Sequence, residues 1–194
     1  MTCDTVICKY TIMYTLVKNN DYICVRLEED DFGVFKSAFT ACTAEKEAPD
    51  INLTDVINKT DGECLRVFFE DPDVDHFVLL EKEQDGDLSI IGEARICYHG
   101  DRAELEDLHI LESERGQRLS DLLHEARLLY LANEEPQISF VTLHIYDWNI
   151  PSIKAAKRNG FRESENKTGG NFLPFSRNLD DLRAPVPAVL ECDT

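Results

Sequence analysis

At 194 residues the chain has room for one domain with a sizeable core, and no Ser/Gly-rich linker divides it. Its 20 Lys and Arg stand against 38 Asp and Glu, a net charge of −18 that repels nucleic acid and anionic membrane and attracts cationic substrates or basic protein surfaces. No stretch approaches the roughly 18 apolar residues of a membrane span, and the seven irregularly placed cysteines offer neither a disulfide framework nor a zinc site.

The opening segment "MTCDTVICKYTIMYTLVKNN" alternates apolar and polar residues and does not read as a secretion signal. A cytoplasmic protein with reduced thiols is therefore expected. "DYICVRLEEDD" reads as a strand with Ile23, Val25 and Leu27 on one face, followed by a short helix in "FGVFKSAFTAC". A polar connection, "EKEAPDINLTDVINKT", comes next. From His76 to Tyr98, two apolar runs flank Gln84-Asp85-Gly86-Asp87 and predict an antiparallel hairpin, which "RAELEDLHIL" extends to a three-stranded meander.

The following helix aligns Leu119, Leu122, Leu123, Ala126 and Leu129 as its apolar face, with Asp121, Glu125 and Arg127 expected to turn away. "ISFVTLHIY" is nearly continuously apolar, and predicts a central strand covered on both faces. "NIPSIKAAKRNGF" reads as a second helix with Asn149 as its cap, Pro151 in its first turn and Asn159-Gly160 at its stop. A closing hairpin turning at Gly169-Gly170 is expected after Phe161. The organisation expected is one domain over 1–180 and an acidic, proline-containing tail over 181–194.

The block "LHILESERGQRLSDLL" resembles the acetyl-CoA-binding segment of the GCN5-related N-acetyltransferases (GNAT), and "LHIYDWNIPSIKAAKRNGF" resembles the strand–helix–strand that follows it in that family. The resemblance covers roughly residues 76 to 177, and the first 75 residues fit by element order alone. It implies an α/β fold with a mixed, mostly antiparallel central sheet, a splayed strand pair and flanking helices.

The resemblance also implies a pyrophosphate cradle at Arg115, Gly116, Gln117, Arg118, Leu119 and Ser120, with acetyl-CoA as acetyl donor. Arg118 stands where the family's first glycine is usual, and Ser120 where its second small residue is. A glycine there lets the backbone approach phosphate, whereas an arginine can extend and contact the phosphate itself. Backbone contacts to the pantetheine arm are expected from Leu108, Ile110 and Leu111, while Asn149 either faces the pantetheine or caps its helix.

Acetyl transfer to an amine needs a neutral amine, and a lysine-like ammonium with a pKa near 10.4 must first lose a proton. Glu104, six residues before Ile110, has the spacing of the glutamate in histone-acetylating members, and is either the base or a solvated or substrate-binding carboxylate. His109 lies on the opposite strand face from Glu104 by parity. The family's acid, a tyrosine four residues before Gly-Phe, is replaced by Ala156; Tyr146 is the remaining candidate hydroxyl, or else a core residue.

The five histidines show no ligand spacing, and no metal is expected. Lys154, Lys157 and Arg158 either meet the 3′-phosphate of the coenzyme or form a solvated face. The reading is direct acetyl transfer to a cationic primary amine such as a polyamine, a lysine or an N-terminus, with a homodimer as a further partner class. Its competitor is a non-catalytic acyl-CoA-binding or interaction module on the same fold.

Overall fold

A computed structural model describes residues 15–17 (backbone only), 21–28, 31–34, 36–37, 70–84, 88–164 and 170–183. The polar connection after the first helix, the turn residues 85–87 and the tail beyond 183 lie outside these residues. The described strands are β1 (Thr15–Val17), β2 (Tyr22–Arg26), β3 (Val74–Lys82), β4 (Leu88–His99), β5 (Arg102–Ile110), β6 (Phe140–Tyr146), β7 (Arg162–Glu163) and β8 (Phe172–Asn178). The helix α1 (Leu119–Glu134) joins β5 to β6, and α2 (Ile150–Arg158) joins β6 to β7.

They form a single sheet in the order β1-β2-β3-β4-β5-β6-β8-β7. The expected meander is β3-β4-β5, and the closing hairpin is β7–β8, whose connecting residues 165–169, with Gly169 of the expected turn, lie outside the described residues. Among the described strands only β5 and β6 pair in parallel, as a strand–helix–strand crossover requires. Their ladder holds three residue pairs, Arg102 with Phe140, Ala103 with Val141 and Glu104 with Thr142, and then ends. Beyond Glu104 the two strands splay apart.

One sheet face is covered by α1 and α2, whose Leu119, Leu123, Ala126, Leu131 and Ala156 join Leu79, Ile96, Leu105, Val141 and Leu143 in the main core. On the other face Val25, Leu27, Val78 and Leu80 pack with Phe32 and Val34 of the helical residues 31–34, so the sheet has a second, smaller core.

Three expectations are corrected. First, Arg127 does not turn away from the sheet: it is fully buried. The reason lies in β5. Arg95 faces Glu106 while Glu93 faces His109, so two steps along β4 match three along β5, and the extra residue forms a bulge around Asp107, whose φ is 42°. Arg127 Nη1 donates to the carbonyls of Arg95 and Glu106 at 2.8 and 3.2 Å, serving oxygens beside this break in the ladder. A long donor side chain under a bulge replaces the interstrand bonds that the bulge removes.

Second, the bulge shifts parity. Glu104 is opposite Cys97, Glu106 opposite Arg95 and His109 opposite Glu93; the three partners alternate along β4, so Glu104, Glu106 and His109 share one face. His109 is therefore not on the face away from Glu104. Third, β6 is covered on one face only. Val141, Leu143 and Ile145 are buried, whereas Phe140, His144 and Tyr146 are exposed on the side away from the helices. The aromatic residues that made the run look continuously buried belong to the open face.

Candidate active site

A cavity of about 980 Å³ opens where β5 and β6 part. Glu104, Leu108 and Ile110 line it from β5, His144 and Tyr146 from β6, Arg115, Gly116, Arg118, Leu119 and Ser120 from the start of α1, and Asn149 from the start of α2. Of the expected site residues, Leu111 and Gln117 lie outside this lining.

Leu111 N–H donates to Ile91 C=O across the β4 ladder, so its backbone faces away from the splay. That bond makes Gly92 and Ile110 a non-hydrogen-bonded pair, which turns the N–H and C=O of Ile110 toward the gap. Arg115 Nε already donates to that carbonyl at 3.0 Å. Gln117 ties the loop to β2 instead: its side-chain oxygen accepts from the Tyr22 hydroxyl, and its amide donates to Glu114, both at 3.1 Å.

The loop reaches α1 through two left-handed residues, Gly116 at φ 90° and Arg118 at φ 63°. Arg118 is the N-cap of α1, and a guanidinium can only donate, so it offers no acceptor to the first-turn N–H groups and no side-chain cap forms. A helix start with uncapped donors, an arginine beside it and small Ser120 on the cavity wall is suited to an anion. These residues fit the pyrophosphate of acetyl-CoA.

At α2 the cap is complete. The Asn149 side chain accepts from Ser152 N–H at 3.3 Å, and Pro151 occupies the first turn. Arg158 is drawn off the expected basic run: it makes two bonds of 2.9 Å to Asp121 on α1, where Asn159 also donates. Lys154 and Lys157 remain exposed. Ala156, at the position of the family tyrosine, is fully buried in the main core.

At the apex of the splay Glu104 meets a residue that sequence reasoning passed over. His144 Nδ1 lies 2.5 Å from Glu104 Oε1, and His99 Nε2 is 4.0 Å from the other oxygen. The pair is partly exposed, with 22% of the Glu104 side chain and 35% of the His144 side chain accessible. Its only sequence signal was the alternation Thr142, His144, Tyr146 on one face of β6. Deeper in the cavity wall, burial first and then Arg127 and Arg158 hold His124 well below the ordinary imidazole range. The neutral ring can therefore accept Arg127 Nη2 at Nδ1, 3.2 Å away.

At the cavity edge Tyr146 stacks on Trp148 at 5.2 Å and leans on Phe172 at 4.1 Å, an exposed aromatic trio. Among the described residues no group of His, Cys, Asp and Glu can hold a metal ion, and no helix is long and apolar enough to cross a membrane. Burial raises the thiols of Cys24 and Cys97 to about 12, so both remain protonated at neutral pH.

The fold and this cleft can be set beside known proteins. No curated protein sequence matches the chain. Among solved structures, the PaiA N-acetyltransferase of Thermoplasma acidophilum in complex with coenzyme A is 16% identical, covers 81% of this chain and 98% of its own, and gives a TM-score of 0.56. A spermidine N-acetyltransferase, SpeG, from Vibrio cholerae is 14% identical over 83% of this chain and 95% of its own, with a TM-score of 0.59. The ribosomal L7/L12 alpha-N-protein acetyltransferase RimL, in complex with coenzyme A, is 13% identical over 86% and 99%, with a TM-score of 0.60. At such identities these structures share the fold. The model of the acetyltransferase (GNAT) family matches residues 40–161, which include β3 to β6, α1 and α2. The chain belongs to the acetyltransferase (GNAT) family.

Proposed function

We propose that the protein transfers acetyl from acetyl-CoA to a cationic primary amine, a polyamine, a lysine side chain or an N-terminus, by direct attack of the amine. The observation that carries this reading is the single cleft between β5 and β6, with an uncapped helix start at one end and the Glu104 carboxylate at the other. Arg118, Gly116 and Ser120 hold the pyrophosphate, the backbone of Leu108 and Ile110 borders the pantetheine arm, and Asn149 faces it from the far wall while capping α2. Bound acetyl-CoA supplies the acetyl group as a thioester. The carboxylate of Glu104 promotes loss of the ammonium proton, and the acidic surface favours a cationic acceptor.

Calorimetric titration with acetyl-CoA tests the cradle: saturable binding is expected, weakened about tenfold or more in Arg118→Ala. Thiol release that depends on added amine tests transfer. The second reading, an acyl-CoA-binding module, is favoured by Ala156, which puts a buried methyl where the family has a tyrosine hydroxyl. That reading predicts the same binding with no amine-dependent release of thiol.

A further inference from the structure

We propose that the proton acceptor in this cleft is the Nε2 atom of His144, and that Glu104 acts through it as a positioning residue. The inference rests on the acetyltransferase reading above and names the atom that performs its proton removal. An ionised carboxylate only accepts, so the 2.5 Å contact between Glu104 Oε1 and His144 Nδ1 requires the proton on Nδ1. In the neutral ring that leaves the lone pair on Nε2.

The two residues come from different strands and meet by register. Glu104 pairs with Thr142 at the last rung of the parallel ladder, and His144 is two residues further along β6 on the same face. Both line the cavity, and both keep access to solvent. A histidine held by a carboxylate at the apex of the cleft is the arrangement of an oriented general base.

The proton balance closes. Nε2 takes one proton from the ammonium and leaves a neutral amine, whose lone pair forms the new C–N bond at the thioester carbonyl. The C–S bond breaks as the tetrahedral adduct collapses. The second nitrogen proton goes to the leaving thiolate, and the imidazolium returns its proton to water. No acid is needed at position 156.

Two measurements test this on the full chain. Nitrogen-15 NMR of the imidazole reports its tautomer: His144 protonated on Nδ1 is expected, with that preference lost in Glu104→Gln. A ring protonated on Nε2 in the unmutated protein overturns the proposal. Turnover is then followed as thiol release from acetyl-CoA with spermidine and with a peptide bearing a free N-terminus. His144→Gln should lower kcat about 100-fold, with calorimetric acetyl-CoA affinity and denaturation midpoint within twofold and 1 °C, respectively, of roughly unchanged values. Added imidazole should restore a measurable part of the rate to His144→Ala, which a packing role would not allow. Combining His144→Gln with Glu104→Gln should cost little beyond His144→Gln alone.

Full activity in His144→Gln overturns this inference and leaves the acetyltransferase reading intact. So does a loss of rate without rescue by imidazole. Binding of acetyl-CoA with no thiol release in the presence of either amine in the unmutated protein overturns both.

Discussion

Arg127 shows how a charged side chain can be part of the core of an acidic protein. Its guanidinium is fully buried, and burial lowers it to about 9, which still leaves it protonated at neutral pH. It donates to the carbonyls of Arg95 and Glu106 and to His124, so one side chain holds together the bulge of β5 and the wall of the cleft. Replacing it with Met, of similar length, leaves two carbonyl oxygens without this donor and should cost about 2 to 4 kcal/mol in urea denaturation. His124 gives a second prediction. Its folded pKa lies below the unfolded value near 6.5, so its contribution to stability is present above that pH and is lost as pH falls through the acid range. Stability should fall on going from pH 7 to pH 5, with a slope from this group of at most about 1.4 kcal/mol per pH unit. His124→Gln should flatten that slope. Neither residue was legible from sequence, because helical periodicity sorts residues by polarity. Arg127 sits inward only because a bulge one layer away needs a donor.

The elements themselves were legible wherever punctuation was strong: the hairpin β3–β4, the start and stop of α2, and the order of strands through β5 and α1. Faces were harder. The bulge at Asp107 reverses the parity on which His109 was placed, and no residue type announced it. The open face of β6 was hidden by Phe140 and Tyr146, which are apolar in type and exposed in fact. Close approach of β4 to β5 and α1 depends on Gly92. A Cβ there would lie 2.6 Å from Ile110 Cδ1 and 2.9 Å from the His109 carbonyl oxygen. Gly92→Ala should therefore destabilise the protein by about 1 to 3 kcal/mol in chemical denaturation. Asn149 allows its two roles to be separated. Asn149→Ala should remove the α2 cap at a cost of about 1 kcal/mol, while Asn149→Asp keeps it. If Asn149→Asp still binds acetyl-CoA several-fold more weakly at full stability, the side chain also meets the cofactor; equal affinity leaves capping as its role.

For the whole molecule the net charge of −18 would act in opposite senses on the two substrates of the proposed transfer, a cationic amine and an anionic coenzyme. A cationic amine is drawn toward the surface, and that attraction is carried over distances that salt screens, about 10 Å at 0.1 M. Acetyl-CoA is an anion approaching the same acidic protein, and in the proposed cradle it would be held only at short range by Arg118 and the start of α1. Raising ionic strength therefore weakens the long-range attraction of one substrate and the long-range repulsion of the other. In the region from 50 to 300 mM salt, kcat/KM for spermidine should fall by roughly 3- to 10-fold. For acetyl-CoA, measured at saturating amine, it should change by about twofold or less, because screening of the repulsion offsets screening of the arginine contact. A small neutral amine provides the control, and its kcat/KM should be flat across the same range. Parallel loss for all three would place the salt effect on the fold, whereas loss confined to the cationic amine assigns it to the acidic field around the cleft.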